Sequence, residues 1–88
     1  MAQMQLSPDN IRQAVAKKTK DKKLSRKISL YLIRKHTPLR LEEIAVLFEK
    51  ISKAGVSALY NRVEKKRITD KRLGHRIKEI EKMLKIET

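Results

Sequence analysis

Residues Leu41 to Val63 read LEEIAVLFEKISKAGVSALYNRV and carry two apolar stripes separated by a short polar segment. In the first half the apolar side chains fall at i, i+3, i+4 and i+7, at Leu41, Ile44, Ala45 and Phe48. The second half repeats this spacing at Val56, Leu59, Tyr60 and Val63. Each stripe gathers on one side of a helix, so the segment predicts two amphipathic helices joined by a tight turn.

The second of these helices has a clear start and a second, polar face. Ser52 can cap it by accepting a hydrogen bond from a free backbone N–H. Lys53, Ser57 and Asn61 recur every fourth residue and lie away from the apolar stripe. Two such helices occur in any small bundle, and they also form the helix-turn-helix modules that bind DNA. The pattern alone leaves both interpretations open.

Charge favours the second interpretation. The 88 residues contain 23 Lys and Arg against 10 Asp and Glu, a net charge of +13, which attracts polyanions. Seven of the cations crowd into one short segment, at Lys17, Lys18, Lys20, Lys22, Lys23, Arg26 and Lys27. Lys65, Lys66 and Arg67 form a second group. Ribosomal and membrane-surface proteins share such a balance, as does a basic surface that only keeps a protein in solution.

Aromatic composition helps to choose among nucleic acids. Aromatic residues make up 3% of the chain, and Phe48 belongs to a predicted apolar stripe. Few side chains are therefore available to stack on unpaired bases, as proteins that bind single strands commonly do. Duplex DNA is favoured over single-stranded RNA.

The rest of the chain is predicted to be helical. Ser7, Pro8 and Asp9 are typical of a helix start, and Ile11, Ala14 and Val15 would face inward. The next stripe is wide enough to predict the most buried helix, which Pro38 would end; it comprises Leu24, Ile28, Leu30, Tyr31, Leu32 and Ile33. We expect Thr69 to cap a last helix with apolar residues at Leu73, Ile77, Ile80 and Leu84.

These patterns together predict an all-α fold, a small five-helix bundle that contains a helix-turn-helix. Residues 1–6 are predicted to be a disordered N-terminus and residues 7–88 a single helical DNA-binding domain. The stripe of the last helix could also form a dimer seam, but its two heptads are fewer than a coiled coil needs. Packing within a monomer is therefore favoured over dimerisation.

The residues that most enzymes use are scarce in this sequence. Cys is absent, and His36 and His75 stand apart from any second ligand, so neither a metal site nor a cofactor is expected, and both His are predicted to be solvated. Gly55 and Gly74 are isolated, which argues against a phosphate loop. Tyr31 and Tyr60 fall on apolar stripes and are predicted core residues. We therefore expect that the protein is not an enzyme and has no small-molecule substrate.

Hydropathy addresses location. No apolar run approaches the roughly 18 residues of a membrane span, and the polar start MAQMQLSPDN lacks the apolar stretch of a signal peptide. The sequence therefore predicts a protein with no membrane partner, located in the cytoplasm.

From Leu6 nearly to the C-terminus, the order of motifs resembles a known family. The motifs are IRQAV, a basic loop, RKISLYLIRKHT, LEEIAVLF and a helix that would read DNA bases. This order is similar to the C-terminal (domain IV) DNA-binding domain of the bacterial replication initiator DnaA. It also resembles the C-terminal domain of REP-associated tyrosine transposases, whose reading helix is closer to VSALYNRVEKK and is followed by a charged helix such as DKRLGHRIKEIEKML. The resemblance implies a Trp-repressor-like bundle that binds duplex DNA at the bacterial nucleoid.

One departure distinguishes the two branches of this resemblance. Replication initiators carry a Gly-Gly-Arg-Asp-His-Thr-Thr-Val signature, and the aligned residues here run from Glu49 to Val56, of which only Val56 is kept. The Asp, His and Thr positions that read bases fall on residues 52–55. The origin sequence of the initiator is therefore not the expected target, and a transposase-associated or otherwise diverged DNA-binding domain is favoured.

The expected interface places a helix from Ser52 to Lys66 in the major groove. Predicted base contacts are Ser52, Lys53, Ala54, Ser57, Ala58 and Asn61. Predicted contacts to the backbone or the minor groove are Lys17, Lys18, Lys20, Lys22, Lys23, Arg26, Arg62, Lys65 and Lys66. The resemblance implies that Lys17 to Lys23 form a loop lying across or into the neighbouring minor groove.

Two other classes of function stay open at this point. An RNA-binding or ribosome-associated protein would use the same charge along an A-form backbone. A helical adaptor for an acidic protein would expose the stripe of the last helix as its interface.

Overall fold

The computed structural model describes residues 7–49 and 51–84, which form five α-helices and no strand. In chain order these are α1 (Pro8–Lys18), α2 (Lys22–His36), α3 (Leu41–Leu47), α4 (Lys53–Thr69) and α5 (Lys71–Met83). The predicted all-α, five-helix bundle is confirmed. The predicted disordered N-terminus at residues 1–6, residue 50 of the predicted turn and the last four residues of the predicted domain lie outside the described residues.

Helix α2 is the centre of the bundle. Six consecutive residues from Ile28 to Ile33 are buried, which confirms the prediction drawn from its wide apolar stripe. α2 packs against α1, α3 and α4, while α5 packs against α4 and α1. A helix that is buried on most of its circumference needs apolar side chains on more than one face.

The signals that begin and end the first two helices act as predicted. Ser7 caps α1 by accepting from the backbone N–H of Asn10 at 3.2 Å, and Pro8 occupies the first turn. α2 ends at His36, and Thr37, which precedes Pro38, has extended backbone angles. Proline disfavours helical angles in the residue before it, so the helix stops there.

Helices α3 and α4 follow the two stripes of the opening segment. α3 buries Ile44, and Phe48 is buried at its C-terminal end. Ser52 caps α4 through a hydrogen bond from the N–H of Gly55 at 3.0 Å, as predicted. α4 buries Val56 and Val63, and the other two stripe residues are partly buried. α4 continues to Thr69, three residues beyond its predicted end at Lys66.

The predicted cap of the last helix is wrong by one residue. Asp70 caps α5, because its carboxylate accepts from the N–H groups of Arg72 and Leu73 at 3.0 and 3.2 Å. The Thr69 hydroxyl instead donates back to the carbonyls of Lys65 and Lys66. A carboxylate is a good cap and its charge suits the positive end of the helix, whereas a Thr hydroxyl can be satisfied within its own helix.

The apolar stripe of α5 belongs to the core. Leu73, Ile77 and Ile80 are buried, and Leu84 packs partly buried against them. These residues are the ones that a dimer seam or an adaptor interface on α5 would need to expose. Their burial leaves that face of α5 without the surface for either role.

Gly74 allows α5 to approach the end of α4. A Cβ atom at this position would lie 2.6 Å from the carbonyl oxygen of Arg67. The obstacle is backbone rather than a flexible side chain, so glycine is required for this crossing.

Among the described helices, none combines the length and hydropathy that spanning a membrane requires.

Candidate functional site

The N-terminal half of α4 exposes a polar face to solvent. Of the six predicted base contacts, five are exposed and one, Ser57, is partly buried. The exposed ones are Ser52, Lys53, Ala54, Ala58 and Asn61. The buried side chains of α4 lie on its other face, against the core. The structure therefore brings the predicted contacts together on accessible surface.

The polar groups on this face are held weakly. The Lys53 ammonium lies 3.6 Å from the Glu42 carboxylate of α3, and the two side chains are 62% and 57% exposed. Ion pairs this exposed contribute little and can exchange partners at low cost. The Ser52 oxygen accepts the capping hydrogen bond, and its hydroxyl proton remains able to donate to a ligand.

Three predicted backbone contacts lie further along α4. Arg62, Lys65 and Lys66 are exposed, and none forms an ion pair within the described part of the chain. Lys53 lies at the N-terminal end of α4. The exposed surface of this helix therefore carries cations toward both ends.

The predicted basic loop is wrong. Lys17 and Lys18 belong to α1, and Lys22 and Lys23 to α2, so only residues 19–21 are not helical. The reason is Asp21, whose carboxylate caps α2 by accepting from the N–H of Lys23 at 3.0 Å. Capping by an acid allows α2 to begin inside the run of lysines. Lys18 also pairs with Glu79 of α5 at 3.6 Å.

The short connector between α1 and α2 lies beside the turn between α3 and α4. Lys20, Lys22 and Arg26 line one groove together with Arg12 and the segment 47–49. Basic residues distant in sequence are thereby placed next to the turn that leads into α4.

Two arginines bind the C-terminal end of α3. Arg12 of α1 donates to the carbonyl of Leu47 at 3.0 Å, and Arg26 of α2 donates to those of Phe48 and Glu49 at 2.8 and 3.1 Å. Cations are favourable at this end of a helix, where carbonyl groups lack partners. The Arg12 guanidinium also lies 4.6 Å from the centre of the Phe48 ring.

Arg26 is a predicted DNA contact, whereas Arg12 has no role predicted from the sequence. The guanidinium of Arg26 already has partners in the turn, so it helps to position α4 whatever else it contacts. No local sequence signal could have revealed Arg12, whose partner lies 35 residues away. Glu49 completes the turn with a φ of 32°, a backbone conformation that favours glycine.

The C-terminal half of α4 is joined to α2 by a hydrogen-bonded cluster. Glu64 accepts from the hydroxyls of Tyr31 and Tyr60 at 3.0 and 3.1 Å, and Lys35 donates to it at 3.4 Å. The two rings stack with centroids 5.0 Å apart. Tyr31 is fully buried and Tyr60 partly so, which confirms the core role predicted for both.

This cluster continues to α5 through a buried acid. Glu81 is 2% exposed and accepts from Arg67, which in turn donates to the Tyr31 hydroxyl at 3.0 Å. His36 Nε2 lies 2.8 Å from the other carboxylate oxygen of Glu81. The prediction that His36 is solvated is therefore wrong: its side chain is 13% exposed because Glu81 faces it. His75 is 75% exposed, as expected.

A sequence signal for these residues existed. Arg67 follows Val63 by four positions and Glu81 follows Ile77 by four, so both extend the apolar stripes of their helices. A charged residue on such a stripe is typical of a buried ion pair, since buried charges need partners.

The cluster also changes the acidity of its members. Burial alone would raise the pKa of Glu64, but hydrogen bonds from both tyrosines and the charge of Lys35 outweigh it and hold the pKa below the usual 4.5. Burial would lower the pKa of Lys35, yet the hydrogen bond to Tyr31 and the charge of Glu64 raise it above 10.5. Burial and Glu64 together raise the pKa of Tyr60.

Chemically, the arrangement offers hydrogen-bond donors and cations on the exposed face of α4. The C-terminal half of this helix is held to α2 and α5 by the hydrogen-bonded cluster. Within residues 7–49 and 51–84, no three acidic or His side chains come together as metal ligands would. No protein-family model, no curated protein and no solved structure matches this chain.

Proposed function

We propose that this protein binds double-stranded DNA sequence-specifically, with α3 and α4 acting as a helix-turn-helix. The observation that carries the proposal is the surface of α4, where exposed donor side chains lie between cations and oppose a buried apolar face. An α-helix fits the major groove of B-form DNA, whose base edges present donors and acceptors to such side chains. Binding, without catalysis, is the role that these groups support.

The groups on α4 suit particular base edges. Lys53 can donate to guanine O6 and N7, and Asn61 can pair with adenine in two hydrogen bonds. Ser57 can contact a base or a phosphate. Ala54 and Ala58 are small enough for the helix backbone to come close, and their methyl groups can touch thymine.

Phosphate contacts would surround this reading face. Arg62, Lys65 and Lys66, which are exposed on α4, would bind phosphates of the DNA backbone. Lys20 and Lys22, in the groove beside the α3–α4 turn, would contact the neighbouring backbone or minor groove. With about six phosphates neutralised, log K should fall against log salt with a slope near −5.

The family resemblance supports the same function. The position aligned with the first glycine of the initiator signature is Glu49, which has a positive φ as a glycine position would. The neighbouring base-reading positions differ, so we propose a transposase-associated or diverged replication-initiator-like domain with its own target. It would act as a monomer in the bacterial cytoplasm, associated with the nucleoid.

Selection from a random duplex library at two salt concentrations tests this proposal. We expect a defined site to emerge, and Asn61→Ala should lose about 1 to 3 kcal/mol of preference at one base pair. Asn10→Ala, which changes another exposed Asn, on α1, is the matched control and should leave preference unchanged. Equal losses on selected and random DNA would contradict the assignment of Asn61.

The phosphate contacts need a separate measurement. Lys20→Ala combined with Lys22→Ala should reduce the salt slope by about one to two units and leave sequence preference intact. Lys78→Ala with Lys82→Ala removes the same charge from exposed positions on α5 and should change the slope less. Fluorescence anisotropy titrations give these slopes. Equal binding of a matched RNA duplex would instead favour the RNA-binding alternative.

A further inference from the structure

A cleft of about 300 Å³ opens between α2, α4 and α5, away from the reading face of α4. Its walls are apolar and come from all three helices: Leu24, Ile28, Leu59, Val63 and Leu73. Ile28 and Val63 are core residues, so the cleft reaches the interior of the bundle. Natural ligand sites are concave and mostly apolar, and this volume is at the small end of their range of about 300–1,000 Å³.

Cations surround the opening of this cleft. Five exposed basic side chains line it, namely Lys27, Arg62, Lys66, Arg72 and Arg76. None of the five forms an ion pair with any residue that the structure describes. Asp70 also lines the cleft and caps α5, and its carboxylate offsets one of these five positive charges. The cleft therefore combines an apolar interior with a rim of net positive charge.

We propose that this cleft binds a small amphipathic anion, a compact one-ring or two-ring hydrophobic body that carries a carboxylate or a phosphate. The apolar body would replace water against Leu59 and Leu73, where burial of apolar surface is favourable. The acidic group would stay at the rim, where Arg72 and Arg76 can pair with it in two parallel hydrogen bonds each. An ordinary phosphate ion would use the rim but gain nothing from the walls.

Such a ligand would be bound without being chemically changed. It would therefore not be a substrate, in line with the expectation that the protein has none. The cleft shares Arg62 and Lys66 with the proposed phosphate contacts of α4. A bound anion would reduce the positive potential at both side chains, so we expect it to weaken DNA binding. This last consequence rests on the proposed function, whereas binding of the anion itself does not.

Amide chemical shifts of the isotopically labelled protein test the proposal. The probes are 2-naphthoate, its neutral analogue 2-naphthalenemethanol, and inorganic phosphate. We expect saturable shifts with 2-naphthoate, concentrated at Leu24, Leu59 and Leu73, weaker binding of the alcohol at the same residues, and no comparable effect of phosphate. If phosphate binds as well as 2-naphthoate, or if shifts spread over the whole basic surface, the proposal is wrong.

Two pairs of substitutions locate the charge. Arg72→Gln with Arg76→Gln should weaken 2-naphthoate binding by about fivefold and leave the alcohol unaffected. Lys78→Gln with Lys82→Gln removes the same charge from α5 outside the cleft, and its effect should be much smaller. Equal losses in the two pairs would overturn the proposal. The spectra also report whether each variant is folded, and DNA affinity measured separately tests the proposed function independently.

Discussion

The two halves of α4 use charged residues in opposite ways. In the N-terminal half, Lys53 has one loose ion pair on the surface, and Asn61 extends into solvent. In the C-terminal half, Glu64 and Arg67 are paired with partners on α2 and α5, down to the buried carboxylate of Glu81. The same helix thus presents polar groups to solvent in its N-terminal half, the exposed half. It pairs Glu64 and Arg67 internally in its C-terminal half, the paired half, where Arg62, Lys65 and Lys66 stay exposed.

This difference shows that the net charge overstates the number of cations that are available to bind a ligand. Arg67 was grouped by sequence with the exposed lysines that precede it, but it belongs to the interior cluster.

Removing the buried acid should damage the paired half most. Glu81→Gln leaves Arg67 and His36 without their carboxylate partner, and we expect a loss of about 3 kcal/mol in the free energy of unfolding. Glu79→Gln removes a partly exposed acid of the same helix, whose side chain is 43% exposed and pairs with Lys18 and His75, and should cost less than about 1 kcal/mol. Urea denaturation followed by circular dichroism gives both values. Similar costs would mean that the cluster does not stabilise the fold.

The two glycines of the α4–α5 region provide the next comparison. Gly74→Ala places a methyl group against the backbone of Arg67, and we expect a net destabilisation of about 1 to 3 kcal/mol. Gly55→Ala meets Cγ1 of Ile51 at 2.8 Å, so a side chain rather than backbone must shift, and the helix preference of alanine offsets part of that cost. Thermal unfolding should therefore show a clearly smaller loss for Gly55→Ala than for Gly74→Ala. A Gly74→Ala protein as stable as Gly55→Ala would contradict the close crossing.

Acidification should weaken the paired half gradually. The folded state lowers the pKa of Glu64, so this group contributes stability above its usual pKa of 4.5 that is lost as pH falls through the lower, folded value. We expect the free energy of unfolding to fall less steeply in Glu64→Gln than in the unmodified protein between about pH 5 and pH 2. Parallel curves for the two proteins would show that Glu64 gains nothing from its partners.

The exposed half should tolerate loss of its ion pair. Glu42→Gln releases Lys53, and the stability change should stay below about 0.5 kcal/mol because both side chains are mostly exposed. If α4 binds DNA as proposed, affinity should rise by about threefold, since a negative charge leaves the face. Glu79→Gln carries the same charge change on α5 and should raise affinity less. An unchanged affinity with Glu42→Gln would place the DNA elsewhere.

Much of the fold could be predicted because it depends on local chemistry. Helical spacing identified the buried residues of α2 and α5, and the caps at Ser7 and Ser52 follow from side chains that compete for free N–H groups. The errors at Thr69 and in the basic segment have one cause. In both places an aspartate caps the following helix: Asp21 caps α2 and Asp70 caps α5. The prediction had overlooked both aspartates as caps.

The candidate site was less predictable, because its geometry depends on contacts between distant segments. The exposure of Lys53 and Asn61 followed from the helical pattern. The pair between Lys53 and Glu42, and the contact of Arg12 with the turn, require knowing how α1, α3 and α4 cross. Spacing within one helix carries no information on such crossings.

The arginine contacts at the end of α3 also have a consequence for how the protein opens. A helix of seven residues does not persist alone in water, and here Arg12 and Arg26 bind its last carbonyls from two other helices. The amide protons of α3 should therefore exchange with solvent together with those of α1 and α2, as one cooperative unit. The direction of α4 then depends on Arg12, which lies 35 positions before its partner Leu47. Local fluctuations of the turn would be suppressed until α1, α2 and α3 unfold together.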